Sequence, residues 1–321
     1  MKTRTVVWTS VVIAGCLALL AARVGDSGPE FGPVAFSPGG KEIIFPFLVG
    51  KSSHLFKATL ADGMASRLTN SDCGVEYDAD FSEAGDAIAF VCSGHIYVTK
   101  SDGSGTHLLI PSDGKDGFPR FSPDGSKIYF GRYSYYGHYS PIATPSAHEW
   151  NIWVVDLADG KVKLLTKENF YGIGELSISP DGKEMIVSTL DKGILIYSTN
   201  GGAAPRTFNP LVRSKSSLPT SEMIHDAQYS KDGASIVFSF ASDGGHGFDY
   251  DVYSVRLNTG ALDKLTTRNG YVTDLRVSPD GRSAVFQKWS KNWRSNPVDP
   301  SLYILSLDTK ELRKLNISFK D

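Results

Sequence analysis

A six-residue phrase recurs six times along the chain, and it limits the folds available more than any other feature. Its copies are Ala35-Phe36-Ser37-Pro38-Gly39-Gly40, Asp80-Phe81-Ser82-Glu83-Ala84-Gly85, Arg120-Phe121-Ser122-Pro123-Asp124-Gly125, Ser177-Ile178-Ser179-Pro180-Asp181-Gly182, Gln228-Tyr229-Ser230-Lys231-Asp232-Gly233 and Arg276-Val277-Ser278-Pro279-Asp280-Gly281. Successive serines lie 40 to 57 residues apart. That period marks a repeat architecture.

Each repeat has the same grammar. An apolar stretch ends in the phrase, and three further strands follow. In repeat three these are Lys127–Phe130, Asn151–Asp156 and Lys161–Thr166. They are rich in Val, Ile, Tyr, Phe and Trp, and Gly, Pro and Asp bound them. The phrase is a hairpin turn: proline presets φ, aspartate tolerates the next position, and glycine takes the left-handed one. The turns Ala61-Asp62-Gly63, Ser101-Asp102-Gly103, Thr199-Asn200-Gly201 and Asn258-Thr259-Gly260 use similar chemistry, whereas Leu307-Asp308-Thr309-Lys310 has no glycine. Six four-stranded units must bury their faces on one another, and radial closure is the usual solution. The chain therefore reads as an all-β, six-bladed β-propeller over residues 31–321, with repeats starting near 31, 75, 116, 172, 223 and 271. An open solenoid is the structural alternative.

The phrase Phe-Ser-Pro-Asp-Gly, the strand Asn151-Ile152-Trp153-Val154 and the ending Lys163-Leu164-Leu165-Thr166 resemble the WD40-like repeats of TolB-type propellers. The resemblance spans all six repeats and implies the fold. It leaves function open, because such scaffolds host binding proteins, protease propellers, lyases and lactonases. The extra N-terminal domain of TolB has no counterpart in the sequence.

Residues 1–22 carry Lys2 and Arg4 ahead of an apolar run from Val6 to Ala22, and 23–30 form a short linker. This is the pattern of a secretory signal. Three versions stay open: a lipoprotein signal with lipid on Cys16, cleavage near Ala21 or Ala22, or an uncleaved anchor. All three place the propeller in the periplasm, attached to the envelope or secreted, and none in the cytoplasm. The membrane is met only through the N-terminus. A net charge of −2 with no basic run argues against nucleic acid.

Two cysteines remain, at the outer ends of one hairpin. If Phe81 pairs near Ala87, Cys92 pairs near Glu76, three residues from Cys73. A disulfide between Cys73 and Cys92 is the expectation for an exported chain.

Strand direction sorts the loops. Turns after the first and third strands share one face and read as structural punctuation. Loops after the second and fourth strands share the other: Arg132–Trp150, Ala203–Glu222, Ala241–Tyr250 and Lys288–Pro300. Long loops in a compact fold are often functional. Theirs hold Tyr133, Tyr135, Tyr136, His138, His148, Trp150, His246, Trp289, Trp293 and Arg294. Such side chains suit recognition of a protein segment or a glycan, or else pack loop on loop.

Four residues before each serine stand Pro33, Asp78, Phe118, Glu175, Asp226 and Asp274. These positions ring the channel mouth on the loop-rich face. Converging carboxylates repel unless something compensates them. A divalent cation such as Ca²⁺ held by Asp78, Glu175, Asp226 and Asp274 would do so, as would Arg120 and Arg276, or backbone N–H bonds made by each acid separately. His225, beside Asp226, is the candidate base should the site be catalytic.

The chain lacks Gly-x-Ser-x-Gly, His-Glu-x-x-His, Cys-x-x-Cys and a phosphate-binding glycine loop. The first reading is accordingly a non-catalytic binding or scaffold propeller of the cell envelope, for which no cofactor is expected. The second is a metal-dependent, lactonase- or lyase-like enzyme at the channel mouth.

Overall fold

The structure is a computed structural model that describes residues 30–49, 52–138, 145–190, 192–208, 224–241, 250–267, 271–289 and 301–320. Its strands form six antiparallel sheets and no helix occurs among the described residues. The described residues hold no helix long and apolar enough to cross a membrane. The N-terminal run and Cys16 lie outside the described residues, as do His246, Trp293 and Arg294 and the side chain of Trp289.

Blade two is the simplest unit. Glu76–Phe81 is innermost, followed outward by Ala87–Cys92, His95–Lys100 and His107–Leu108. Blades three to six repeat that order from Asp116–Phe121, Ile173–Ile178, Ile224–Tyr229 and Tyr271–Val277. In blade one the inner strand is split into Glu30–Phe31 and Ala35–Phe36, which both pair with Glu42–Val49.

Eight residues after each serine the second strand carries Phe45, Phe90, Phe130, Val187, Phe238 or Phe286, all fully buried. Their cross-strand partners are Phe56, Tyr97, Trp153, Leu195, Tyr253 and Tyr303. Such pairs are the stabilising unit of a sheet, and each buried aromatic contributes about 1.5–3 kcal/mol. The apolar residues form six clusters, and each one joins neighbouring blades. The decisive cluster packs Val34, Phe45 and Ala65 of blade one on Val285 and Leu302 of blade six. That contact closes the ring and excludes the solenoid.

A short C-terminal strand completes the closure. Ser318–Phe319 lies parallel to Met64–Ala65 on the outer edge of blade one. The Ser318 amide donates to the Gly63 carbonyl at 2.9 Å, and Lys320 donates to that of Ala65 at 2.8 Å. The Phe319 ring sits 4.4 Å from that of Phe47 and 5.3 Å from that of Phe56. Gly63 has φ +71°, and a Cβ there would stand 1.9 Å from the Asn316 carbonyl oxygen. Only glycine meets both demands. In blade six the equivalent turn has no glycine, and Lys310 itself adopts φ 61°.

The phrase interlocks the blades. Pro38 approaches Gly85, Pro123 approaches Gly182, Pro180 approaches Gly233 and Pro279 approaches Gly40, each in the next blade. The Leu-Thr ending of the repeat has a role as well. Thr69, Thr166 and Thr266 accept the amides of Leu55, Ile152 and Val252 through their hydroxyls.

Two expectations shift. The sequence predicts a loop from Arg132 to Trp150 in repeat three, whereas its central strands run Lys127–Gly137 and Ser146–Asp156. The hairpin simply continues above its sheet, because cross-strand pairs such as Tyr133 with Trp150 and Tyr135 with His148 carry the ladder on. In blade two Phe81 pairs with Ile88 rather than Ala87, one residue off. A bulge between Tyr77 and Asp80 restores the register, so Cys92 does stand opposite Glu76. Cys73 and Cys92 are bonded, with Cα atoms 6.0 Å apart.

Candidate functional site: the charged hub and the cavity beneath it

The bulge explains the acidic positions. The register shifts just there in four blades, and Asp78, Phe118, Asp226 and Asp274 adopt left-handed φ between 48° and 58°. Aspartate is one of the few non-glycine residues that tolerate this region. Blade four shifts at Gly174 instead, ahead of Glu175.

Two carboxylates and two guanidinium groups interlock at the hub. Arg120 of blade three donates to Asp78 of blade two at 2.9 Å and to Glu175 of blade four at 2.7 Å. Arg276 of blade six donates to Glu175 and lies 3.5 Å from Asp78. All four side chains are buried. Burial opposes the charge on Arg120, but Asp78, Glu175 and Asp80 outweigh it and hold the pKa above its usual value. The arginine alternative raised from the sequence is the arrangement found for Asp78 and Glu175, two of the four acids.

The other acids lack such partners. Burial, with Asp274 and Glu175 nearby, pushes Asp226 up to about 8. Burial pushes Asp274 and Asp80 up to about 6, against the pull of Arg276 and Arg120 respectively. Asp226 accepts from Ser239 at 3.2 Å and Asp274 from Gln287 at 2.7 Å. His225 lies 5.5 Å from the Tyr250 ring, and burial lowers its pKa to about 4. A histidine so depressed is a weak base near neutrality. Among the described residues, no group of three or more His, Cys, Asp or Glu side chains is placed to hold a metal ion.

One step further down each inner strand stand Ala35, Asp80, Arg120, Ser177, Gln228 and Arg276. Four of these bind the next blade. Asp80 accepts the Phe121 amide at 2.8 Å, and Arg120 donates to the Leu176 carbonyl at 3.1 Å. Ser177 accepts from Tyr229 at 3.3 Å, and Gln228 both accepts from Val277 and donates to Leu275. They staple the blades from inside the channel.

This second ring is also the floor of a cavity of about 430 Å³. Phe36, Phe81, Phe121, Ile178, Tyr229 and Val277 contribute to its wall. Its rim is the phrase itself, with Pro38, Glu83, Pro123, Pro180, Lys231 and Pro279. The cavity therefore opens on the turn face, which the sequence marked as structural. Nothing in a proline turn announces a cavity mouth; the signal was the polar series two residues before the serines.

On the loop-rich face the aromatic residues separate into two sets. Trp150 is 3% exposed, packs on Phe118 and Tyr133, and donates its indole N–H to the Ala147 carbonyl at 3.0 Å. His148 is 5% exposed, with Nδ1 3.0 Å from the Tyr171 carbonyl and Nε2 2.9 Å from Ser146 Oγ. Both sit inside the hairpin base and serve packing. Tyr133 is half-buried and His138 exposed. Tyr135 and Tyr136 are 46% and 59% exposed at the hairpin's upper end.

No protein-family model matches the sequence, and no curated protein does. Among solved structures, TolB from Acinetobacter baumannii matches with a TM-score of 0.61 at 21% identity, over 96% of this chain and 70% of that one. An oligogalacturonate lyase in complex with manganese matches with a TM-score of 0.61 at 16% identity, over 89% and 77% of the two chains. The oligogalacturonate lyase of Vibrio parahaemolyticus gives 0.58 at 12% identity, over 91% and 80%. At these identities the likeness shows the propeller fold alone, shared by TolB and the oligogalacturonate lyases alike.

Proposed function

We propose that this chain is a non-catalytic binding propeller of the cell envelope that holds a protein segment or a glycan against its loop-rich face. The supporting observation is the blade-three hairpin. It rises above its sheet and presents Tyr135 and Tyr136 largely exposed, while Trp150 and His148 anchor its base. Tyrosine offers contact area at low entropic cost, the usual property of a recognition residue. Export rests on the apolar N-terminal run.

The hub argues against the enzymatic alternative. The lyase of similar fold was solved with manganese. Here Asp78 and Glu175 are committed to Arg120 and Arg276, and Asp226 keeps its proton at neutral pH. Those donors do not suit a hard divalent cation.

The test uses the full chain in cells of its source, with a photo-crosslinking residue at Tyr136 or at Asp159 on the turn face. The reading expects discrete adducts from position 136 and none from 159. Equal labelling, or none from 136 together with unchanged glycan binding by Tyr135→Ala and Tyr136→Ala, overturns it.

A further inference from the structure

Four of the six phrases carry proline after the serine, and two do not: Glu83 in blade two and Lys231 in blade five. Blades three apart in a ring of six are opposite one another. The two side chains meet, with Lys231 Nζ 2.8 Å from Glu83 Oε1, so the pair spans the cavity mouth. Both are about half exposed. A half-exposed pair is screened by water and contributes little to stability, too little to account for two departures from the turn proline, and it opens readily.

Beneath the pair, charge is unbalanced. The positive charges of Arg120 and Arg276 are matched by Asp78 and Glu175. Asp80 is left over. Its Oδ2 accepts the Phe121 amide, and among the described residues its other oxygen has no hydrogen-bond donor. Asp78 adds negative charge beside it. Phe81 and Phe121, on the strand of Asp80 and on the next blade, line the cavity with Arg120 and Arg276. A carboxylate with an open lone pair above aromatic walls recognises an organic cation through charge and ring faces.

We propose that the turn-face cavity binds a small organic cation, a primary amine or guanidinium, with its charge on Asp80, and that the Glu83–Lys231 pair is a strap across the mouth that parts to admit it. The site is separate from the loop-rich face and does not rest on the function proposed for that face. Lys231 competes as a resident cation at the cavity mouth. Its removal favours the ligand by the strength of the strap, which at 1 kcal/mol corresponds to about five-fold.

The experiment is isothermal titration of the full chain with agmatine at low salt, with uncharged butylurea as the control. Agmatine is expected to bind and butylurea not to. Asp80→Asn keeps an oxygen for the Phe121 amide and loses the charge, so it should weaken agmatine at least ten-fold with an unchanged melting temperature. Lys231→Ala should tighten it by up to about five-fold, and Tyr136→Ala should leave it unaltered. The proposal falls if agmatine fails to bind both the wild-type chain and Lys231→Ala at millimolar concentration. It falls equally if butylurea binds as well as agmatine, or if folded Asp80→Asn binds as tightly as the wild type.

Discussion

Asp226 carries the clearest pH-linked cost in the molecule. Burial, reinforced by Asp274 and Glu175, raises its carboxyl from 3.8 to about 8. The folded chain therefore keeps a proton that the unfolded chain has already released. Stability must fall as pH rises between those two values, and the loss is complete above the folded pKa. At lower pH the signal is mixed. Asp80 and Asp274, raised to about 6, act in the same direction. His225, lowered to about 4, acts oppositely, because the unfolded imidazole takes a proton that the buried one refuses. Above pH of about 6.5 the residual titration of the unfolded His225 and that of the folded Asp80 and Asp274 run in opposite directions and nearly cancel, and Asp226 remains. One proton over about 1.5 pH units costs about 2 kcal/mol. Asp226→Asn removes that proton while keeping a side chain that tolerates φ 54° and can still bond Ser239. Urea unfolding at pH 6.5, 7, 7.5 and 8 is the assay. The wild-type chain should lose about 2 kcal/mol across the series, and Asp226→Asn should stay level. A wild-type curve that is flat or rising, or a variant with the same slope as the wild type, refutes the argument.

Three further outcomes follow from the geometry. Arg120→Met leaves Asp78 and Glu175 buried without their main partner; it should cost about 3–5 kcal/mol in urea unfolding, and adding Glu175→Gln should restore part of that loss. Gly63→Ala forces a Cβ against the Asn316 carbonyl, so hydrogen exchange at the Ser318 and Lys320 amides should accelerate; unchanged protection there would contradict closure by the C-terminal strand. Replacing Cys73 and Cys92 by serine opens a loop with a sequence separation of 19 and should cost about 3 kcal/mol, while denatured, unreduced wild-type chain should show no free thiol from this pair.

The propeller was legible because its turn chemistry is local and repeats. Glycine closes every hairpin, with proline or aspartate ahead of it in five of six, and a buried apolar side chain, aromatic in five blades and Val187 in blade four, recurs eight residues after each serine because every blade interface needs a wedge. Counting from the serines also found the hub: Asp78, Glu175, Asp226 and Asp274, with Arg120 and Arg276 two residues on. The bulge was not legible. It inserts one residue per inner strand, and its cause, a left-handed backbone at Asp78, Phe118, Asp226 and Asp274, leaves only the faint signal of aspartate preference. The height of the blade-three hairpin was missed for a different reason. Residues 132–138 and 146–150 are polar and aromatic, without the apolar face that marks a strand against a core, and only cross-strand pairing defines them as strands.

Symmetric folds cannot have symmetric hubs. Six identical wedges can sit in six separate interfaces, so Phe45, Phe90, Phe130, Phe238 and Phe286 repeat freely. At the axis the same six positions face one another. Six aspartates there would repel, and six arginines would do the same. The sequence must vary where the repeat converges, and Ala35, Asp80, Arg120, Ser177, Gln228 and Arg276 vary accordingly. Part of that variation is satisfied internally, since two arginines match two carboxylates and Gln228 and Ser177 staple neighbouring blades. What internal bonding leaves without a direct ion pair is Asp80, and what it leaves unexplained is the paired departures at Glu83 and Lys231. Hub convergence demands neither, because residues at the rim are solvated and proline serves there four times out of six. A break in symmetry that the fold does not require is therefore the place to look for a ligand.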